Sequence, residues 1–484
     1  MEGPLTRTIQ RLAGKKKRPD PVSPLLLELF QETEGEEVES YSIPPFGFTV
    51  KRAGGRSTYQ AIPDLSPREL GMLRTTVAEV GAGLRPSSIE PLTFNGLVES
   101  LSQAAAGSLA AIRDTDRVKV LSRLAAFEAV GIPTVYCLSL DDSVSEFYAD
   151  APGTPIYLDH AEHGRCETEL ILTERERKAI ETHMDTFKGY TIDFSNPSLK
   201  NEFDIFGHRL RVSLDLSPLA VSNFSLDVRK LTSRELTLVD LVRQDVLSSE
   251  SASFLLAVLE LGMNVTIIGE TGTGKTTLLN ALDEAMDPRL RRIYVEDAVE
   301  TKDLLGRGYH QMKLKVDPFE RWAEGSRTKS MEITKILHRS PDVVILGEIQ
   351  SEEHSKAFFH ALSAGVRGLQ TFHASTTTQA VRRWREMHGI SKANLLDLDV
   401  LVQMGRPDRL GSKRQVFGIS LLVEEDGEAR LREIYSRGRD ARLQRIVSWD
   451  RLQLRRPSLT RERLLECAER HQAAIEDGVV RAAN

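Results

Sequence analysis

Along this chain the apolar positions change their period repeatedly, and each change marks an expected element. Val265 to Ile268 is a short, partly β-branched apolar run that reads as a buried strand, while Leu278, Leu279, Ala281 and Leu282 open a helix. The alternation then repeats. Strands are expected at Arg292–Val295, Gln311–Lys315, Asp342–Leu346, Gly368–Phe372 and Asp399–Met404, with helices between them. Such βα repetition favours a parallel sheet with helices on both faces. Arg414–Leu422 and Ala429–Ser436 read as a β-hairpin turning at Asp426-Gly427. Ser458–Asp477 reads as an amphipathic helix with Leu464, Ala468 and Ile475 on one face.

Upstream the texture differs. Tyr41 to Ile62 is strand-like, interrupted by Pro44-Pro45 and Gly54-Gly55. Leu70, Leu73 and Val77 fall at helical spacing over Ser66–Val80, where Ser66 and Glu69 make a capping box. A long helical region is expected over about 96–130. From Pro133 short strands alternate with turns: Tyr136–Leu140, Glu146–Asp150, Pro155–His160 and Glu167–Leu172. A helix over Glu174–Phe187 and strands at Leu210–Leu214 and Phe224–Arg229 follow. After Lys230–Thr237, helices are expected from near Leu238 and over Ser249–Leu261. The fold class is therefore α/β: a P-loop-type C-terminal domain preceded by an α+β N-terminal domain and a helical subdomain. The expected division is a basic then acidic N-terminus (1–40), a mainly helical subdomain (41–130), an α+β domain (131–235), a nucleotide-binding domain (236–457) and a C-terminal helix and tail (458–484).

Composition narrows this picture modestly. The chain has 484 residues, 40% hydrophobic and 28% charged, which suits sizeable cores rather than disorder. A net charge of -6 argues against a generic nucleic-acid binder. Basic residues do cluster at Arg7, Arg11, Lys15, Lys16, Lys17 and Arg18, which read as a solvated disordered tail or a contact for anionic lipid or nucleic acid. A short helix is expected at Pro24–Thr33, then a solvated acidic linker carrying Glu32, Glu34, Glu36, Glu37 and Glu39. Cys137, Cys166 and Cys467 lie far apart without a Cys-x-x-Cys pair, so a zinc ribbon is not expected and a reducing cytosol fits. No apolar stretch has the length of a membrane span, so any membrane link is expected to be peripheral or through a partner.

Chemistry concentrates where the strands end. Gly269-Glu270-Thr271-Gly272-Thr273-Gly274-Lys275-Thr276 is G-x-x-x-x-G-K-[ST] between a strand and a helix, and Thr277 continues it. Its glycines let successive N–H groups face a phosphate, at the positive end of the following helix. Lys275 supplies a cation for the β/γ-phosphates, and the Thr276 hydroxyl suits Mg²⁺. Three later stretches could supply hydrolysis: the acids Glu296, Asp297 and Glu300 after one strand, Glu348 after the apolar run Val343–Leu346, and His373 after Gln370-Thr371-Phe372. Ligands bind beyond the carboxyl ends of parallel strands, so these side chains are expected to face the phosphates. A carboxylate such as Glu348 can polarise a water for attack.

Together these residues resemble the secretion ATPase superfamily: type II and type IV secretion ATPases, pilus assembly and retraction motors, and archaeal flagellar motors. The loop matches its Walker A. Glu296, Asp297 and Glu300 match its Asp box, Arg339–Glu348 resembles its Walker B, and His373 matches its His box. Asp142–Glu146, Gly153–Tyr157, Arg211-Val212 and Phe224–Lys230 are similar to the N-terminal domain of the archaeal branch, so the likeness covers about residues 130–450. The resemblance implies a RecA-like ATPase domain binding ATP and Mg²⁺, in a hexameric ring that works with a polytopic membrane platform protein at the cytoplasmic face of a membrane. It also implies N-terminal-domain arginines that approach the phosphates, for which Arg211 and Arg229 are the candidates.

Two positions depart from the family pattern. Gln350 stands where an arginine often follows the Walker B strand, and Val366 follows Gly365 where histidine is frequent. Both bear on rate or on coupling between subunits. Alternative readings are a nucleic-acid-translocating conjugation-type ATPase, for which the arginine-rich 430–470 stretch is the best argument, and a nucleotide-binding scaffold. That stretch has interspersed acids and few aromatics, so stacking platforms for bases are missing and no nucleic-acid partner is expected.

Overall fold

The computed structural model describes residues 35–83, 93–151, 153–188, 192, 194–231, 236–316, 328–407, 413–438, 442–448 and 460–478. The basic N-terminal cluster, the helix expected at Pro24–Thr33, and Glu32 and Glu34 of the expected acidic linker lie outside them. The chain forms two units: residues 1–233 with 410–412, and 234–409 with 413–484.

Among the described residues of the first unit nine strands make one sheet, ordered β1-β2-β3-β6-β5-β4-β9-β8-β7. They are β1 (Glu36–Ile43), β2 (Phe46–Ala53), β3 (Arg56–Pro63), β4 (Val144–Ala149), β5 (Pro155–His160), β6 (Gly164–Ile171), β7 (Ser198–Ile205), β8 (His208–Leu216) and β9 (Phe224–Lys230). Helices α1 (Pro67–Gly83), α2 (Phe94–Ser108), α3 (Thr115–Val130), α4 (Pro133–Leu140) and α5 (Glu174–Lys188) accompany it. Ser66 and Glu69 cap α1 reciprocally, as the sequence pattern requires.

Several expectations are corrected here. The acidic residues Glu36, Glu37 and Glu39 belong to edge strand β1 rather than to a linker, and charges on an edge discourage further pairing. The long helix over 96–130 is two helices, the second started by Asp114, whose carboxylate accepts from the Asp116 and Arg117 N–H groups. Tyr136–Leu140 is helical: Pro133 at the first turn starts α4, and a short run buried on all sides does not reveal its period. No helical subdomain separates at residue 130, because β1–β3 join the same sheet and Phe46, Phe48 and Tyr59 share one core with Phe127, Leu158 and Val228.

The second unit also has a nine-stranded sheet, ordered β12-β11-β13-β14-β10-β15-β16-β17-β18. Its strands are β10 (Val265–Gly269), β11 (Arg292–Glu296), β12 (Gln311–Lys315), β13 (Val343–Ile349), β14 (Arg367–His373), β15 (Val400–Gly405), β16 (Gln415–Glu425), β17 (Glu428–Arg437) and β18 (Leu443–Arg445). Pairing is parallel from β12 through β15 and antiparallel beyond. The alternation of side chains sorts the core into two layers. After the short helix α6 (Leu238–Arg243), Ile267, Ile345 and Val402 meet α7 (Ser249–Glu260) and α8 (Lys275–Ala285) on one face; Ile268, Leu346 and Leu401 meet α9 (Lys329–Ile336) and α10 (Glu352–Ser363) on the other. The β16–β17 turn has positive φ at both Asp426 and Gly427, the backbone a two-residue hairpin demands. The C-terminal helix α11 (Arg461–Glu476) is not a separate appendage. Leu464, Ala468 and Ile475 are buried in the α7 layer, and Arg470 and His471 donate to Glu260.

Candidate functional site

The order of the parallel strands decides which side chains meet. β10 lies between β14 and β15, and β13 lies on the far side of β14. Their carboxyl ends therefore put Gly269, His373, Glu348 and Arg406 around one rim, with Gly269 directly paired to His373. The loop after β10 closes tightly. A Cβ on Gly269 would stand 2.7 Å from the Met404 carbonyl oxygen. Gly272 and Gly274 have φ of 73° and 88°, so both sit where a side chain is strained. Thr273 folds back to donate to the Glu270 carbonyl at 2.8 Å, and Gly274 is the N-cap of α8. The N-terminus of α8, the positive end of its helix dipole, thus closes the loop.

Lys275 reaches across this loop. Its Nζ donates to the Glu270 carbonyl at 2.9 Å and to His373 Nδ1 at 3.4 Å. An ammonium has no lone pair, so Nδ1 is the acceptor and His373 carries its proton on Nε2. Nε2 in turn is in close contact with Glu348 Oε1, and the other Glu348 oxygen accepts from Gln350 Nε2 at 2.6 Å. Burial pushes the Glu348 carboxyl up, but the His373 and Gln350 contacts outweigh it and hold the group at about 2. Glu348 is therefore a carboxylate at neutral pH, as a proton acceptor must be. Thr276 Oγ1 donates to Glu300 Oε2 at 3.1 Å, which brings together the hydroxyl and carboxylate suited to Mg²⁺.

Glu296 departs from its expected direction. It is buried, and accepts from the N–H groups of Glu300 (3.0 Å) and Thr301 (3.1 Å) and from the Thr301 hydroxyl (2.6 Å). Burial pushes its carboxyl up while those donors pull it down. With both oxygens occupied it shapes the turn that delivers Glu300 rather than facing the loop itself. Asp297 pairs with Lys329 at 2.9 Å. Glu270 and Thr271 are exposed at the loop tip, and Thr277 lies in the first turn of α8.

Sequence reasoning passed over several contributors. Arg406 clasps the loop by donating from Nε (3.2 Å) and Nη2 (2.9 Å) to the Gly272 carbonyl. It follows β15 directly, so the strand-end rule could have found it. Arg383 donates to the carbonyls of His373 (2.9 Å) and Gln350 (3.2 Å), joining the ends of β14 and β13. No local pattern marks it.

Arg211 and Arg229 belong to the first unit. They stand directly opposite each other on β8 and β9, and the adjoining strands place Glu202 beside Arg211 and Glu146 beside Arg229. The result is an acid–arginine–arginine–acid row across four strands, with Arg229 3.8 Å from Glu146. Cys137, Cys166 and Cys467 are buried and free. Among the described residues no helix is long and apolar enough to cross a membrane.

Comparison with known proteins adds to this geometry. The family described as "Type II/IV secretion system protein" matches residues 201–405. Two uncharacterized proteins of Methanocaldococcus jannaschii are similar: MJ0900, 33% identical over 180 residues, and MJ1287, 30% identical over 200 residues. The first match covers 37% of this chain and 31% of MJ0900; the second covers 39% of this chain and 68% of MJ1287. The conjugal transfer protein TrbB of Rhizobium radiobacter is 24% identical over 299 residues, covering 58% of this chain and 86% of TrbB.

Proposed function

The chain belongs to the type II/IV secretion ATPase superfamily, and on that premise we propose that it binds MgATP at Gly269–Thr276 and hydrolyses it as one subunit of a hexameric motor. The observation that carries this reading is the continuous contact from Lys275 through His373 to Glu348 at three adjacent strand ends. In this reading the loop N–H groups and the start of α8 hold the phosphates. Lys275 leaves the Glu270 carbonyl for the more negative β/γ-phosphates. Glu348 accepts the proton of a water whose oxygen attacks the γ-phosphorus, the bond to the β,γ-bridging oxygen breaks, and ADP and phosphate leave. Thr276 and Glu300 would hold Mg²⁺, which neutralises phosphate charge. Arg211 and Arg229, cross-strand partners on β8 and β9, are proposed to add positive charge as the γ-phosphoryl transfers.

The motor is proposed to act at the cytoplasmic face of a membrane, on a polytopic platform protein, in pilus- or archaellum-type filament assembly or in type II/IV protein secretion. The experiment measures ATP turnover and particle mass of the full chain. Turnover that is lost in Lys275→Ala, on a particle of six subunits, supports the reading; wild-type protein that binds nucleotide without turnover refutes it and leaves a scaffold. A second reading, nucleic-acid translocation, is favoured by similarity to a protein named for conjugal transfer. A rate stimulated by DNA and falling steeply with salt would select it.

A further inference from the structure

The strand that presents Glu348 does not end regularly. β13 pairs with β14 in register from Val343 to Leu346, slips, and resumes at Ile349, while its pairing with β11 stops at Leu346. Gly347 and Glu348 thus leave the ladder just where the carboxylate must be aimed. Irregularities of this kind re-aim a side chain next to a site, and they leave backbone groups to be satisfied by other means. Two side chains take those groups. The Thr371 hydroxyl donates to the Gly347 carbonyl, and Lys329 Nζ donates to the Glu348 carbonyl at 3.0 Å.

Lys329 is an unusual choice for this task. It is 2% exposed, and a lysine is almost never that buried unless paired. Its partner is Asp297 at 2.9 Å, so the one ammonium ties the residue after β11 to the carbonyl of Glu348 on β13. The cation holds the backbone carbonyl of Glu348 while His373 and Gln350 hold its carboxylate. Buried His354 on α10 faces the same charges; burial and the nearby ammonium push it down to about 4, so it brings no second cation at neutral pH.

We propose that Lys329 is a positioning residue for Glu348: by holding the freed carbonyl of the irregular β13 end, together with Thr371 on Gly347, it keeps the carboxylate aimed at the attacking water. This rests on the ATPase reading above. A displaced reacting group costs rate rather than affinity, on the order of 100-fold per ångström.

The test compares full-length wild type, Lys329→Met, Lys329→Gln and Thr371→Val in steady-state ATP hydrolysis, with dissociation constants for a fluorescent ADP analogue. Lys335→Met, an exposed lysine of the same helix paired with Glu332, is the control expected to match wild type. Lys329→Met is expected to lower kcat by about 10- to 100-fold while KM and ADP affinity stay within about twofold. Lys329→Gln, which keeps a donor without the charge, recovers part of the loss. An unchanged kcat, or a raised KM with kcat intact, overturns the assignment. Should Lys329→Met fail to fold, Thr371→Val decides: a lowered kcat at unchanged KM supports pinning of the β13 end, and wild-type kinetics overturn it. Wild type that turns over no ATP refutes the ATPase reading itself, and this assignment with it.

Discussion

Replacing Glu348 by glutamine separates binding from chemistry. The substitution is nearly isosteric. The glutamine oxygen can still accept from His373 Nε2, and the Gln350 amide can turn to offer its own oxygen to the new NH₂. Neither contact is with the loop, so the loop backbone and Lys275 keep their places. The lost property is the lone pair of a carboxylate held at about 2, which no amide replaces. General-base removal costs about 10²- to 10⁴-fold in rate, or roughly 3–5 kcal/mol of activation free energy. Steady-state ATPase assays would read kcat, and titration with a fluorescent ATP analogue would read affinity. The expected result is nucleotide affinity within about threefold of wild type and kcat reduced by at least about 100-fold. Hydrolysis at the wild-type rate would refute the role given to Glu348, because proton acceptance would then lie elsewhere.

Other expectations follow from the same contacts. Gly272→Ala would place a methyl group against the Arg406 guanidinium at a positive φ, a conformation costing about 1–2 kcal/mol before any clash; nucleotide affinity should fall in calorimetry, and unchanged affinity would contradict the loop geometry. Acid should weaken the first unit through His183, which is fully buried, donates to the Val130 carbonyl, and is pushed by burial down to about 4. Its folded pKa lies below its unfolded value of 6.5, so the unfolded chain binds the proton first. The contribution is complete above that value and is lost as pH falls towards 4, which denaturant melts across this window should register and His183→Gln should flatten.

Much of the second unit was written in local pattern. The strand–loop–helix of Val265–Leu282 needs only its glycines, one lysine and an apolar run, all within twenty residues, so period and composition suffice to announce it. The same holds for the Asp426-Gly427 hairpin and the Ser66–Glu69 cap, where a turn or cap dictates residue type directly. Glu348 and His373 were legible because each ends an apolar run, and parallel strands present their ends to one side.

What the tertiary structure alone decided concerns partners distant in sequence. Glu296 was expected to face the phosphates from its strand end, but the turn through Glu300 and Thr301 consumes its oxygens, a closure no spacing announces. Tyr136–Leu140 became a helix because burial on every side erased the period that would identify it. The three N-terminal strands joined the first sheet through pairing of β3 with β6, residues about a hundred positions apart. Lys329 and Arg383 gained their roles only when strand order brought β11, β13 and β14 together. Local sequence sets which backbone and which chemistry are available. The long-range order of strands sets which charges meet, because that order depends on the packing of the whole sheet and not on any one segment.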